Sequence, residues 1–305
     1  MIVALFNILF VLLLSPLCIG LIRTIKARMQ NRRGASVFQP YRNLVKLFHK
    51  DEVISEDASW IFRCAPFIIF SSTLVIATGI PIVFAFATTF APAGDILVFI
   101  YLGALGAFFL ALAGMDPGSA FGGTGSSREM TLAAVAEGGL LTTLLVPAFV
   151  AGSTQMTVIA ATIAVLPIGA IIPLIVAFIG FFIVLLSENA RYPFDNPATH
   201  LELTMVHEAM ILEYSGKRLA LMEWAAANKL CLFLIVAANL YVPSFGIQNS
   251  TLVVGALTLG KVLILAGVIA LLESSIPKLR YFRLPDLLFT SFVLALIALV
   301  ISLTV

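Results

Sequence analysis

The sequence predicts an all-α, polytopic membrane protein with about eight transmembrane helices and an amphipathic helix on its cytoplasmic surface. Three observations carry that prediction. Of 305 residues, 61% are hydrophobic and only 11% charged, with a mean hydropathy of +1.08, where a soluble domain carries roughly 25% charged residues. Eight stretches are apolar for about the 20 residues needed to cross hydrocarbon. The basic residues fall in alternate connections between those stretches. No segment is polar and long enough for a soluble domain, so the chain reads as one integral membrane domain, 1–305.

The expected spans are 2–22, 66–86, 96–114, 130–151, 168–187, 230–247, 252–272 and 285–304. The N-terminal run has no basic region ahead of it and no small-residue cleavage site, so it reads as a first span rather than a cleaved signal. Pro167 and Pro173 interrupt the apolar run beginning near Thr157, so 157–166 is expected to be a separate or kinked piece. Of the 18 Lys and Arg, those from Arg23 to Arg63 follow the first span and Arg128 follows the third. Arg191, Lys217, Arg218 and Lys229 follow the fifth, and Lys278, Arg280 and Arg283 the seventh. The connections after spans two, four and six carry none. Excess positive charge marks the cytoplasmic side, so the expectation is a multi-pass protein of the cell (inner) membrane with both termini outside.

The first cytoplasmic segment, 23–63, has Val37, Phe38, Tyr41, Leu44, Val45, Leu47 and Phe48 mostly at helical spacing, with Arg and Lys between. It reads as an amphipathic helix at the membrane surface, as an anchor in lipid or as a platform for a cytoplasmic partner. The three cysteines, Cys18, Cys64 and Cys231, lie far apart without metal-ligand spacing. No zinc site or iron–sulfur cluster is expected from this chain alone, and nothing in it points to nucleic acid.

Charge in so apolar a chain has to be paired, hydrated or used. The acidic cytoplasmic loop expected over 188–229 concentrates it: Glu188, Arg191, Asp195, Glu202, Glu208, Glu213 and Glu223, with His200 and His207. Glu129 and Glu137 are eight residues apart in the fourth span and are expected to share one face about 12 Å apart, with Glu137 buried. A carboxyl group at that depth suits proton transfer. Lys261 is deep in the seventh span and is expected to meet a carboxylate, while Glu273 and Lys229 snorkel to the interface. Asp116 is expected to open a glycine-rich loop ending at Arg128. Glu129, Glu137, Glu188, Glu202, Glu213, Lys261 and Glu273 together form the expected proton path.

Several of these residues carry a family resemblance. Glu188-x-x-Arg191-x-Pro193-Phe194-Asp195, then Glu202-Leu203 and Glu213-Tyr214-Ser215-Gly216, resemble the signature of the quinone-site membrane subunit of respiratory complex I. The same pattern is found in its relatives in group 4 membrane-bound [NiFe] hydrogenases. The Lys26–Phe48 stretch, with Gln39-Pro40, resembles the same family's first cytoplasmic segment, while Asn31-Arg32-Arg33-Gly34 leading to Gln39-x-Tyr41-Arg42, and the loop from Gly114 to Glu129, are similar to the hydrogenase and formate hydrogenlyase branch. The resemblance covers nearly the whole chain.

It implies a subunit that is non-catalytic alone within an oxidoreductase complex. Such a subunit anchors a cytoplasmic arm of hydrogenase-like large and small subunits and iron–sulfur proteins, which hold the [NiFe] site and clusters. It joins that arm to antiporter-like membrane subunits. Carried over, Arg128 and Glu137 fall on the polar path, and Glu188, Arg191, Asp195, Glu202 and Glu213 on the loop facing the arm; Arg128, His200, Glu208 and Glu223 are expected to face the arm with them. A complex I-type role would place a quinone near Arg33, Arg42 and His200. A standalone ion-coupled transporter is the reading from another class, although no internal repeat is visible. The chain departs from the family after Asp195, where Ala198 and His200 replace acidic residues and only Glu202 remains.

Overall fold

A computed structural model describes residues 2–82, 92–167, 171–195, 206–244 and 251–304. Eleven α-helices are described among them. The long ones are α1 (Ile2–Met29), α3 (Trp60–Gly79), α4 (Ile96–Met115), α5 (Ala120–Ala151), α9 (Gly216–Leu240), α10 (Thr251–Ser275) and α11 (Leu284–Thr304). Between them lie α2 (Gln39–Phe48), α6 (Met156–Ala164), α7 (Ile172–Glu188) and α8 (His207–Ile211). Seven helices are long and apolar enough to cross a membrane, and α7 is a shorter apolar helix of 17 residues. These are the eight expected spans, with α6 as the separate piece ahead of the fifth.

Local chemistry fixes the helix starts. The Ser59 hydroxyl accepts from Ile61 N at 3.2 Å, and the Asp95 carboxylate from Leu97 N at 2.8 Å, so each closes an orphan donor at its helix N-terminus. α5 ends on Gly152 in the left-handed region. α9 is the hub, with Cys231 to Tyr241 buried throughout. It packs against α1, α3, α10 and α2, while α5 packs against α4, α7 and α11.

α1 runs on to Met29 and α3 already starts at Trp60, and two further boundaries that differ from the sequence expectation shape the site. The glycine-rich stretch ahead of Arg128 is helix, not loop: α5 starts at Ala120. Its glycines serve close packing, since a Cβ on Gly122 would sit 2.0 Å from the Gly114 carbonyl oxygen of α4. Ser126 continues that seam, donating to the Ala111 carbonyl at 2.9 Å. Asp116, just before it, instead receives the Ser59 N–H and hydroxyl at 2.6 Å each, tying α4 to the start of α3.

The second difference is α9, which begins at Gly216, so the expected acidic loop is shorter and Glu223 and Lys229 lie within a span. The Glu213–Gly216 motif makes that start. Tyr214 stacks on Phe62 with centroids 4.0 Å apart and donates to the Phe62 carbonyl at 2.8 Å. The Ser215 hydroxyl donates to Val53 O at 2.8 Å. Gly216 takes φ +53 where a Cβ would lie 2.8 Å from Asp51 O, a conformation and a space that suit glycine. Glu52 pairs with Arg218 beside it.

Candidate functional site: a charged cavity under the connections

The connections after the first, third, fifth and seventh spans meet on one face of the bundle. Ion pairs join the first, fifth and seventh, and the Asp116–Ser59 hydrogen bonds tie the third to the first. α7 ends in a Schellman turn: Ala190 is at φ 48, and Arg191 N donates to Leu186 O at 2.8 Å. The turn carries the Arg191 guanidinium inward, 3.2 Å from one oxygen of Glu273, while Lys26 of α1 lies 3.1 Å from the other. The Lys26 ammonium also lies 4.6 Å from the Tyr192 ring centroid. The Glu273 side chain is 2% exposed, so it does not snorkel to the interface; it is the buried centre of a three-element clamp. Asp195 does a second tethering job. One oxygen pairs with Lys278 at 2.7 Å, and the other accepts from Val206 N and His207 N at 3.2 Å each, at the start of α8.

Beneath this face is a cavity of about 190 Å³ between α1, α2, α3, α4 and α9, with α8 beside it. Its charged and titratable lining comprises Arg23, Glu129, Glu188, Arg191, Asp195, His207, Glu208, Glu223 and Lys229. The remainder is largely apolar, including Ile76, Phe99 and Phe233. Lys229 pairs with Glu188 at 2.7 Å rather than snorkelling. The cavity therefore has a polar, charge-bearing end and an apolar body.

His207 borders the cavity at the head of α8, outside the spans. Burial, and then the positive charges of Lys229 and Arg191 against the opposing pull of Asp195, lower its pKa from 6.5 to about 4. Its folded-state pKa is depressed, so the unfolded chain takes up the proton first as pH falls. Stability associated with neutral His207 is present above pH 6.5 and declines from there towards about pH 4. His207→Asn should flatten the pH dependence of the melting midpoint between pH 7 and pH 5, about the upper part of that range. An unchanged slope in the variant would exclude this role.

The other expected site residues fall in three places. Glu129, Glu188, Arg191, Asp195, Glu208 and Glu223 line the cavity, whereas Glu213, Arg33 and Arg42 are exposed outside it. Arg33 lies in the connection after α1, and Arg42 projects from the outer side of α2, so neither faces the cavity as expected of quinone-site residues. Ala198, His200 and Glu202 lie outside the described residues.

Glu137 is not buried but exposed on the outer surface of α5. Eight residues advance a helix by about 80° past two whole turns. Glu129 thus faces the cavity and Glu137 the bundle exterior, rather than sharing one face. Among the described residues Lys261 meets no carboxylate; its ammonium donates to Val242 O at 2.7 Å and to the Ser244 hydroxyl at 2.8 Å, where α9 has ended. Arg128 lies with its guanidinium carbon 5.8 Å from the Tyr281 ring centroid, near the start of α11.

Arg23, Lys26 and Lys278 carry no individual signal in the sequence. They were visible only as members of a basic count, and their partners are 247 and 83 positions away for Lys26 and Lys278. No local spacing reveals such pairs.

The fold and site define a multi-pass membrane subunit with a charged cavity under a clamped set of connections. Residues 1–304 match the NADH dehydrogenase family, and the chain belongs to it. It is 36% identical to hydrogenase-4 component C of Escherichia coli (strain K12), covering 99% of this chain and 95% of that one. It is 34% identical to formate hydrogenlyase subunit 4 of the same organism, covering 94% and 93%. In fold it is similar to a chain of the membrane-bound sulfane sulfur reductase, an archaeal respiratory membrane complex. There the TM-score is 0.81 at 19% identity, over 99% of this chain and 98% of the other. The protein is a membrane subunit of a redox-driven complex of this class.

Proposed function

We propose that this chain anchors a hydrogenase-like cytoplasmic arm, with a [NiFe] site and iron–sulfur clusters in the partner subunits, and relays protons through its carboxylates. The carrying observation is the cavity, which gathers Glu129, Glu188, Glu208 and Glu223 under the clamped face. A change of charge at a redox centre above it shifts the protonation of carboxyl groups in its walls. Glu129 connects the cavity to α5, and Glu137 lies about 12 Å further along that helix on its outer surface. An ionised carboxylate facing lipid is unfavourable. A neighbouring antiporter-like membrane subunit covering Glu137 resolves that cost and receives the proton. The clamped face then lies in the cytoplasm, both termini lie outside, and the membrane is the cell inner membrane.

The test is proton translocation in inverted membrane vesicles driven by the complex's own redox reaction. Glu129→Gln and Glu137→Gln should each cut proton transfer by about 10²-fold or more, on the scale of losing a positioned acid–base group, while the complex stays assembled. Full translocation in both variants would contradict the relay. A quinone-site role is the second reading, favoured by the apolar body of the cavity with its polar end. Bound quinone extracted from the purified complex, and displaced when Ile76 or Phe99 is enlarged to Trp, would support it.

A further inference from the structure

We infer that α9 is a clasp on three hinged helices, and that Tyr214, Trp224 and Tyr241 are the positioning residues by which it sets the shape of the cavity. Among the described residues three prolines lie inside helices, Pro16 in α1, Pro66 in α3 and Pro147 in α5, and all three are buried. A proline there lacks the N–H that would bond the carbonyl four residues back, and its ring pushes that carbonyl aside. The freed carbonyls are those of Leu12, Phe62 and Thr143. Inside a membrane such a group has no water to turn to, and leaving it unmet is costly. Each is met, and each time from α9 or a residue flanking it. The Tyr214 hydroxyl donates to Phe62 O at 2.8 Å, the Tyr241 hydroxyl to Thr143 O at 2.9 Å and the Trp224 indole N–H to Leu12 O at 3.4 Å. Tyr214 lies just ahead of α9 and Tyr241 directly follows it. On α1 the adjacent Leu13 carbonyl takes the Tyr41 hydroxyl of α2.

A proline is where a helix bends, and a donor held on the freed carbonyl fixes the direction of the bend. Each hinge lies beside the part of its helix that contributes to the cavity wall. Ile19 and Arg23 follow Pro16, Ile69 and Thr73 follow Pro66, and Glu129 precedes Pro147 on α5. The Tyr214 clasp is also joined to the cytoplasmic face. Its ring stacks on Phe62, and the next residue, Ser215, donates to Val53 O in the connection after α2. A displacement of that face therefore reaches the α3 hinge through a single hydroxyl. This coupling rests on the proposed arm above the face; the holding of the hinges does not.

A thermal cycle on the full-length chain tests the clasp. Tyr214→Phe and Tyr241→Phe keep the ring and orphan one buried carbonyl, so each should lower the melting midpoint by about 2–4 °C or more. Pro66→Ala and Pro147→Ala restore the missing backbone N–H, and the matching hydroxyl then becomes dispensable. Pro66→Ala/Tyr214→Phe should melt with Pro66→Ala, and Pro147→Ala/Tyr241→Phe with Pro147→Ala. The crossed pair Pro66→Ala/Tyr241→Phe should show no rescue. A hydroxyl whose loss costs the same with and without its proline overturns the clasp, as does a matched double variant that fails to fold. The positioning role is read in inverted vesicles of the intact complex. There Pro66→Ala/Tyr214→Phe, folded but without its hinge, should move fewer protons per redox turnover than wild type. Undiminished translocation in that variant, while Glu129→Gln cuts it, overturns the positioning role. Undiminished translocation in Glu129→Gln as well removes the relay and the coupling with it, and the clasp then stands or falls on the thermal cycle.

Discussion

Glu273→Ala should leave the protein unable to accumulate as a folded subunit. The substitution removes the shared partner of Arg191 and Lys26 and leaves two cations in a region where the Arg191 side chain is 9% exposed. Breaking a buried ion pair from one side costs about 3–5 kcal/mol, because the remaining charge is neither paired nor hydrated. That is comparable with the whole stability of many domains, about 5–15 kcal/mol. The effect should be concentrated where three elements meet: the end of α1, the turn after α7 and the end of α10. Glu273→Gln retains an acceptor oxygen and should lose less. The check is the monodisperse yield and melting midpoint of each variant in mild detergent. A Glu273→Ala protein melting with wild type would show that the clamp is not structural. Glu273 is doubly paired and buried, so the first effect of removing it is on the architecture.

Gly122→Ala should be nearly as damaging, for a steric reason. Its Cβ would lie 2.0 Å from a backbone oxygen of α4, which has no rotamer with which to move aside. The helices would have to separate, and overpacking of this kind typically costs about 1–3 kcal/mol. The neighbouring Gly123→Ala provides the control, since nothing lies within 4 Å of its added Cβ. Ala is favoured over Gly in a helix interior by about 0.8–1.0 kcal/mol, so Gly123→Ala should be neutral or stabilising. Opposite shifts in melting midpoint for adjacent glycines would establish the seam. A harmless Gly122→Ala would show that α4 and α5 do not approach so closely.

The spans were legible because burial in lipid imposes a length and a composition that single stretches display. The alternation of Lys and Arg was equally legible, and ion pairs place the first, fifth and seventh connections on one face, with Asp116 tying the third to the first. What could not be read was direction and partnership. Hydropathy locates an apolar stretch but not the polar turns by which α5 and α9 extend beyond it, so Gly122, Glu223 and Lys229 were assigned to loops. Glycines beside Asp116 look the same whether they permit a turn or a close helix crossing. Glu137 and Glu129 show on which helix a carboxylate lies, while the 80° or so between them decides which one faces the cavity. Lys261 was correctly seen as needing a partner, but a carbonyl and a hydroxyl serve where a carboxylate was expected.

The most direct test of the proposed anchoring role is purification of the intact complex in mild detergent through a tag on this chain, followed by mass spectrometry and metal analysis. Hydrogenase-like large and small subunits should co-elute with nickel and iron, together with antiporter-like membrane subunits. Iron and bound quinone without nickel would move the protein to the quinone-site reading. A partner-free, metal-free chain, recovered intact from membranes, would exclude the anchoring role.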